Sequence, residues 1–288
     1  MDTRQLAVVN ESEELTPADV AKGVAAVQKQ VATDFAPAWG VSAVLSAFPS
    51  LDHVPLGYWP VVVRDDIGID EAGVHLSESG DKVFALVLFS GSRWTVTLSH
   101  EVLELLADPF GTRFLPGPSV QDESQEVEYL AEICDPCQAD DCAYPVNGDQ
   151  LVSDFVLPGY YGGAGDGRYS CAGHLTGPRQ VLVNGYVSWH DPLTDEWWQA
   201  LDAGRGLQFR QISADALRPD VHLRGAIDRA TNAVLAAARP APRKARPAPG
   251  RRRLLRRMER YAAVTRAQGE WWRKQIDRVS RRHRRAGR

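Results

Sequence analysis

Apolar and polar residues follow two different spacings along the first hundred residues. Short runs rich in β-branched and aromatic residues predict β-strands in RQLAVVN, VSAVLSAF, YWPVVVRDD and KVFALVLFSG. Between the first two, TPADVAKGVAAVQKQVATDF has helical spacing, with Thr16 as N-cap, Pro17 at the first helical position and a break at APAWG. The last of these strands leads into TVTLSHEVLELLADP, residues 95–109, which predicts an apolar helix. The predicted order is therefore β, α, β, β, β, α.

The pattern is weaker after Pro109. GTRFLPGPSVQDESQ predicts a loop, and EVEYLAEICDP fits either a short helix or a strand. QVLVNGYVSWHDP predicts a hairpin that turns at Asn184 and Gly185. A last helix is predicted in PDVHLRGAIDRATNAVLAAAR, before the Pro- and Ala-rich segment PAPRKARPAPG. We therefore expect an α+β domain over residues 1–237, a linker over residues 238–250 and a basic helical tail over residues 251–288.

Charge is distributed unevenly between the body and the tail. The chain has a net charge of -4, but residues 236–288 contain 19 Lys and Arg against three acids, or +16, which leaves -20 for residues 1–235. A basic amphipathic tail is expected to bind an anionic partner, such as nucleic acid, a membrane surface or an acidic protein surface. The alternative is a solubilising, partly disordered extension. The adjacent Trp271 and Trp272 favour a partner, because exposed tryptophans are costly in water.

The sequence contains no run of 18 or more apolar residues that would predict a transmembrane helix. Its first residues, MDTRQLAVVNESEE, lack the basic and apolar regions of a signal peptide. We therefore expect a soluble, cytoplasmic protein.

The helix predicted over residues 95–109 carries an unusual row of ionisable side chains. His100, Glu104 and Asp108 share one helix face, and Glu101 lies beside them. Such a row is typical of a solvated helix face, but it also fits a metal site. The helix follows an apolar strand and is itself apolar, and unpaired carboxylates inside a domain are costly. H-E-x-x-E also keeps the spacing of the metal-binding H-E-x-x-H helix.

The H-E-x-x-E helix, with Glu132 and Asp135 downstream in AEICDP, resembles a zincin-type metallopeptidase domain. The similarity covers roughly the first 200 residues and follows the thermolysin-like layout, in which H-E-x-x-H is followed by a distant Glu. QVATDFAPAWG and SHEVLELLADP are also similar to uncharacterised bacterial and phage proteins. The resemblance implies a zincin-like mixed sheet with an active-site helix, and zinc held by His100, Glu104 and Glu132. It further implies that Glu101 is the general base and that Asp135 supports the ligands.

The sequence departs from the zincin pattern at Glu104, where the family has its second histidine. One imidazole and two carboxylates still bind Zn, but they also suit Mn or Fe. The spacing from Glu104 to Glu132 is longer than the thermolysin-like one, so Glu126 and Glu128 are alternative third ligands. Our hypothesis is a metal-dependent peptidase or amide hydrolase that acts on a peptide or protein substrate. The alternative is an inactive zincin-like interaction or assembly protein whose tail binds the anionic partner.

Other residues are candidates for supporting roles. Tyr186, His174 and His190 could donate to an oxyanion or a substrate, although each also fits a structural role. His75, in AGVHLSES, could approach the metal from an edge strand, but a solvated turn is the more ordinary interpretation. The four cysteines are Cys134, Cys137, Cys142 and Cys171. They fit three alternatives: reduced thiols, a disulfide, or a second metal site with a structural role.

Overall fold

The structure is a computed structural model that describes residues 3–68, 72–78, 82–213, 223–238, 268–278 and 281. Within these residues the fold is mixed α+β, with strands in several sheets and helices between and beside them. The predicted linker from residue 239 onwards and the tail as far as residue 267 lie outside the described residues. None of the helices in the described ranges is long and apolar enough to cross a bilayer.

The first sheet has five strands in the order β2-β1-β3-β5-β4. They are β1 (Thr3–Asn10), β2 (Ser42–Phe48), β3 (Trp59–Arg64), β4 (Gly73–Glu78) and β5 (Lys82–Leu88). Strands β2, β1, β3 and β5 run parallel, and β4 pairs antiparallel with β5 at one edge. Parallel strands are covered on both faces, which explains their nearly continuous apolar sequences. The four strands predicted from these sequences are confirmed.

Helix α1 (Pro17–Gln30) connects the parallel strands β1 and β2. Thr16 forms the predicted N-cap: its side chain accepts from the Asp19 amide, and the Asp19 carboxylate accepts from the Thr16 amide. The predicted break at APAWG is confirmed only at its last residue, Gly40. The helix continues through a π-helical turn (Val31–Phe35) and a short helix, α2 (Ala36–Trp39), and it ends at Gly40, whose φ is 73°. Pro37 is accommodated because it lies at the start of the last segment, where a missing amide proton is tolerated.

Helix α3 (Trp94–Ala107) follows β5 and packs against β5 and α1. It contains the H-E-x-x-E sequence predicted to be helical. The face of the first sheet that presents Leu6, Val61 and Ala85 shares one hydrophobic core with α1 and α3. The sheet therefore holds α3 and its ionisable residues inside the domain.

The second sheet is antiparallel, in the order β12-β11-β10-β7-β6. Its strands are β6 (Phe114–Pro118), β7 (Glu126–Leu130), β10 (Tyr186–Asp191), β11 (Glu196–Leu201) and β12 (Gln208–Ile212). A small hairpin joins β8 (Tyr144–Val146) and β9 (Gln150–Val152), and α4 (Gly159–Gly162) is a single turn. The segment EVEYL, left open between helix and strand, is therefore β7. The hairpin predicted at Asn184 and Gly185 is wrong, because β10 begins after them and turns into β11 at residues 192–195.

Helix α5 (Leu223–Ala238) packs on the second sheet. Ile227 contacts a cluster with Leu130 and Ile212, and Leu235 contacts Tyr186 and Leu201. The predicted last helix is thus confirmed over its described part. The N-terminal turn of α5 lies next to the end of β7, and this position brings charged residues of α5 towards α3.

Residues 268–278 are helical and cover the other face of the first sheet. Trp272 and Ile276 are buried against Val62 and Phe84, and the Trp272 and Phe84 rings are 5.7 Å apart, edge to face. Arg273 forms an ion pair with Asp52. The interpretation of Trp272 as a tryptophan exposed for a partner is wrong, because its partner is the sheet of the same chain. This part of the predicted tail belongs to the folded body.

Candidate metal centre

Helix α3 is buried on almost every side. Glu104 is fully buried and Glu101 is 4% exposed, while the side chain of His100 is 16% exposed. A solvated helix face would leave carboxylates open to water. The interpretation of the row as the solvated side of a helix is therefore wrong.

Eight ionisable side chains converge around Glu104, and we refer to them as the Glu104 cluster. They come from β4, α3, the segment after β7, and α5, and all except His100 are buried. The members are His75, His100, Glu101, Glu104, Glu132, Asp135, Arg224 and Asp228. Four separate segments of the chain thus contribute to one buried polar site.

The spacing of the donor atoms suits a metal ion. His100 Nε2 lies 3.2 Å from Glu104 Oε2 and 3.3 Å from Asp135 Oδ1. Glu104, Glu132 and Asp135 also each offer a carboxylate oxygen, and these three atoms lie within 4.8 Å of one another. Donor atoms around a tetrahedral zinc are about 3.3 Å apart, because the bonds are about 2.0–2.1 Å long. The His100–Glu104 and His100–Asp135 separations match this spacing, and the oxygens of Glu132, Glu104 and Asp135 lie within 4.8 Å of one another.

Several buried carboxylate oxygens in the cluster have no hydrogen-bond partner. They are Oε1 of Glu132, Oδ2 of Asp135 and Oε2 of Glu101, whereas Oε2 of Glu132 has Arg224 Nη2 at 2.6 Å. Burying a polar atom without a partner costs about 1–3 kcal/mol, and more for a charged group. A cation that binds carboxylates would satisfy these atoms, so the donor set fits a metal such as zinc.

Arg224 already places one positive charge in the cluster. Its Nη2 contacts Glu104 Oε2 and lies 2.6 Å from Glu132 Oε2, and its Nη1 contacts His75 Nδ1. Its Nε lies 3.5 Å from Oδ2 of Asp228, one turn later on α5. No sequence motif predicted these two residues. The available signal was a pair of opposite charges four residues apart in a predicted helix.

His75 is buried on the edge strand β4, so its interpretation as part of a solvated turn is wrong. Its Nδ1 lies 3.7 Å from Glu101 Oε2 and 3.9 Å from Glu104 Oε2. Its Nε2 lies 3.2 Å from the carbonyl oxygen of Asp108. Gly73, two residues earlier on the same strand face, leaves room for Glu101, because a Cβ there would lie 2.7 Å from Glu101 Cγ. Strand β4 is therefore one wall of the cluster.

Burial and mutual charge shift the pKa values of the cluster in opposite directions. Burial raises the pKa of Glu101 to about 8 and that of Glu132 well above its usual range. Burial also acts on Glu104, but the charges of His100 and Arg224 outweigh it and hold the pKa of Glu104 well below its usual value. Burial disfavours the charged form of His100, yet Glu104 and Asp135 raise the pKa of that imidazole well above its usual value. Glu104 is thus the carboxylate of the cluster whose ionised form the neighbouring cations stabilise most.

The Glu104 cluster combines imidazoles, carboxylates and one guanidinium in a buried site. No family model, curated protein or solved structure matches this chain. The positions and the chemistry of its own side chains therefore carry the interpretation of the site.

Two alternative third ligands lie outside the Glu104 cluster. Glu126 and Glu128 are exposed on β7, and Glu128 lies 3.2 Å from His190 Nδ1. Glu132 follows the end of the same strand and is buried beside Glu104. Of the three glutamates considered as third ligand, the structure therefore brings Glu132 to the site.

The three predicted donors have different surroundings. The Tyr186 hydroxyl is buried and donates to Oδ1 of Asp228 at 3.1 Å, so it borders the cluster. His174 Nδ1 lies 2.9 Å from Asp154, and His190 contacts Glu128 and Asp195. These contacts involve no member of the cluster. Of the three residues, only Tyr186 is held against the site.

The cysteines do not assemble into a second site. All four are free, and no candidate metal-binding group in the described part of the chain contains more than one of them. The structure therefore does not bring the four cysteines together as a second metal site, and it contains no disulfide between them. Cys134 belongs instead to the surroundings of Glu104: its amide donates to Glu104 Oε1 at 3.0 Å, and burial raises the pKa of its thiol. Cys137 and Cys142 pack in the hydrophobic core, and Cys171 lies beside the Tyr144 hydroxyl.

Proposed function

We propose that this protein is a metal-dependent peptidase or amide hydrolase with a zincin-like centre. One observation carries the proposal: Glu104, Glu132 and Asp135 gather within 4.8 Å of one another beside His100, with buried oxygens that lack hydrogen-bond partners. The H-E-x-x-E helix, followed downstream by Glu132 and Asp135, is the feature on which the resemblance to zincins rests.

In this proposal His100, Glu104 and Glu132 hold the metal, and Asp135 borders His100 Nε2. Zinc is the expected ion, with Mn or Fe as alternatives. When bound, it would polarise the scissile carbonyl as a Lewis acid. Glu101, next to His100 on α3, takes a proton from the attacking water and passes it to the leaving amine. An extended peptide could pair with the edge strand β4, which lies beside Glu101.

The first test is the metal content of the purified full-length protein, measured by mass spectrometry. The wild type should carry about one more metal ion per chain than the His100→Ala, Glu104→Ala double variant. His174→Ala is the matched control, because this histidine pairs with Asp154 outside the cluster. Equal metal content in the wild type and the double variant would refute the proposed centre.

The second test separates metal binding from catalysis. Glu101→Gln should keep the metal and lose peptide hydrolysis by about 100-fold or more, because general acid–base catalysis contributes about that much. A variant that keeps both metal and full activity would remove Glu101 from the mechanism.

Arg224 favours a second candidate function, an inactive protein of the same design. Its guanidinium already pairs with Glu104 and Glu132, so the cluster could be a structural polar core without a metal. The function would then be binding by the basic tail, with nucleic acid or another anionic surface as the partner. A wild type free of metal, with salt-sensitive polyanion binding that is lost on deletion of residues 239–267, would favour this candidate.

A further inference from the structure

Arg224 contacts two of the side chains that would hold the metal. Its Nη2 pairs with Oε2 of Glu104, and the same Nη2 lies 2.6 Å from Oε2 of Glu132. Oε2 of Glu104 also lies 3.2 Å from His100 Nε2. Arg224 is 4% exposed, so this contact is not a surface ion pair. A guanidinium and a metal ion bind carboxylates through the same lone pairs, and both are cations. They cannot occupy this position together.

We propose that Arg224 competes with the metal inside the site. Arg224 must leave Glu104 and Glu132 before the metal can bind. This inference rests on the proposed function and deepens it, because it states how the same site is opened. The resting centre is closed by arginine, and the metal-binding state is the one in which helix α5 or the Arg224 side chain has moved.

Asp228 provides Arg224 with an alternative partner. It lies one turn later on α5, with its Oδ2 3.5 Å from Arg224 Nε, and its Oδ1 accepts a hydrogen bond from the Tyr186 hydroxyl. Arg224 can therefore remain paired with a buried carboxylate after it leaves the two glutamates. Without such a partner, the displaced guanidinium would be a buried unpaired charge, which is costly. The position of Asp228 thus makes the exchange of arginine for metal energetically accessible.

The test is isothermal titration of metal-free full-length protein with Zn²⁺, in a weak competing chelator. Arg224→Met keeps the length of the side chain and removes its charge. If the arginine-free state is populated about one part in ten or less, this variant should bind Zn²⁺ about tenfold more tightly or better. Asp228→Asn should bind Zn²⁺ several-fold more weakly, because Arg224 loses its alternative partner. The two variants therefore move the affinity in opposite directions, which general structural damage would not do.

A double-mutant comparison isolates the role of Asp228. If Asp228 acts through Arg224, then Asp228→Asn should change the Zn²⁺ affinity by less than about twofold in the Arg224→Met background. An equally large loss in both backgrounds would overturn the competition. If Arg224→Met does not fold, as judged by its thermal melt, an unchanged affinity in Asp228→Asn alone would also overturn it.

The failure of this inference differs from the failure of the proposed function. If Arg224→Met and the wild type bind Zn²⁺ equally, and the His100→Ala, Glu104→Ala variant binds none, then the competition is refuted and the metal centre stands. If no variant binds Zn²⁺ through His100 and Glu104, both are refuted.

Discussion

The helix at residues 268–278 gives a prediction whose magnitude follows from its packing. Trp272→Ala removes a side chain that is 4% exposed and edge-on to Phe84. A buried tryptophan removes about 150–250 Å² from water, which at about 25 cal/mol per Å² corresponds to about 4–6 kcal/mol. The indole N–H has no hydrogen-bond partner among the described residues, and this offsets about 1–3 kcal/mol. We therefore expect Trp272→Ala to lower the free energy of unfolding by about 1–5 kcal/mol.

Urea unfolding followed by far-UV circular dichroism measures this loss without relying on the fluorescence of the deleted tryptophan. Lys274→Ala is the control, because Lys274 is exposed on the same helix. It should change the free energy of unfolding by less than about 0.5 kcal/mol. If Trp272→Ala also lowered the free energy of unfolding by less than about 0.5 kcal/mol, the packing of this helix on the sheet would be refuted. The whole tail would then again be interpreted as a separate extension.

Three further predictions concern Asp228 and Gly73 beside the candidate site and Thr16 at the start of α1. Burial raises the pKa of Asp228 to about 7, above its usual value of 3.8, so its contribution to stability is present at acidic pH and is lost as pH rises through about 7. The melting temperature of the protein without added metal should therefore fall between about pH 4 and pH 7, and less so in Asp228→Asn; parallel curves for the two proteins would contradict this. Gly73→Ala places a methyl group 2.7 Å from Glu101 Cγ and should lower the free energy of unfolding by about 1–3 kcal/mol, measured by thermal denaturation. An unchanged melting temperature would show that β4 lies further from α3. Thr16→Ala removes the capping box of α1 and should cost about 1 kcal/mol in the same assay, with Thr16→Ser as the variant that retains the cap.

The sequence predicted the elements whose stability is local. Apolar runs identified β1, β2, β3 and β5, and Thr16 with Pro17 marked the start of α1, because these signals depend on neighbouring residues. The pair Asn184-Gly185 was misread for a tertiary reason. A Cβ at Gly185 would lie 2.8 Å from the carbonyl oxygen of Asp135, so the glycine permits a close approach of two backbone segments. Nothing in the local pattern separates this use of glycine from a hairpin turn.

The candidate site was predictable only as far as it lies on α3 and the segment after β7. His100, Glu101 and Glu104 follow a helical spacing, and Glu132 was singled out from a short acidic motif. Arg224 is 120 residues from Glu104 in the chain, and only the packing of α5 on the second sheet brings them together. His75 lies between Val74 and Leu76, but the polar residues that follow, SESGD, suggested a turn and hid its position on an edge strand. Contacts of this kind follow from topology, which a single sequence does not reveal.

The charge balance of the Glu104 cluster explains why one site can suit both an arginine and a metal. Five buried carboxylates surround a single guanidinium, and they are those of Glu101, Glu104, Glu132, Asp135 and Asp228. Arg224 and His100, whose pKa is raised by Glu104 and Asp135, cannot compensate five ionised carboxylates, so protonation must neutralise part of the set when no metal is bound. A divalent cation compensates more of this charge, and it reaches oxygens that Arg224 leaves without partners. The excess of buried carboxylates over buried cations is therefore a stronger argument for metal binding than the H-E-x-x-E spacing alone, since a purely structural ion pair would need only one acid for Arg224.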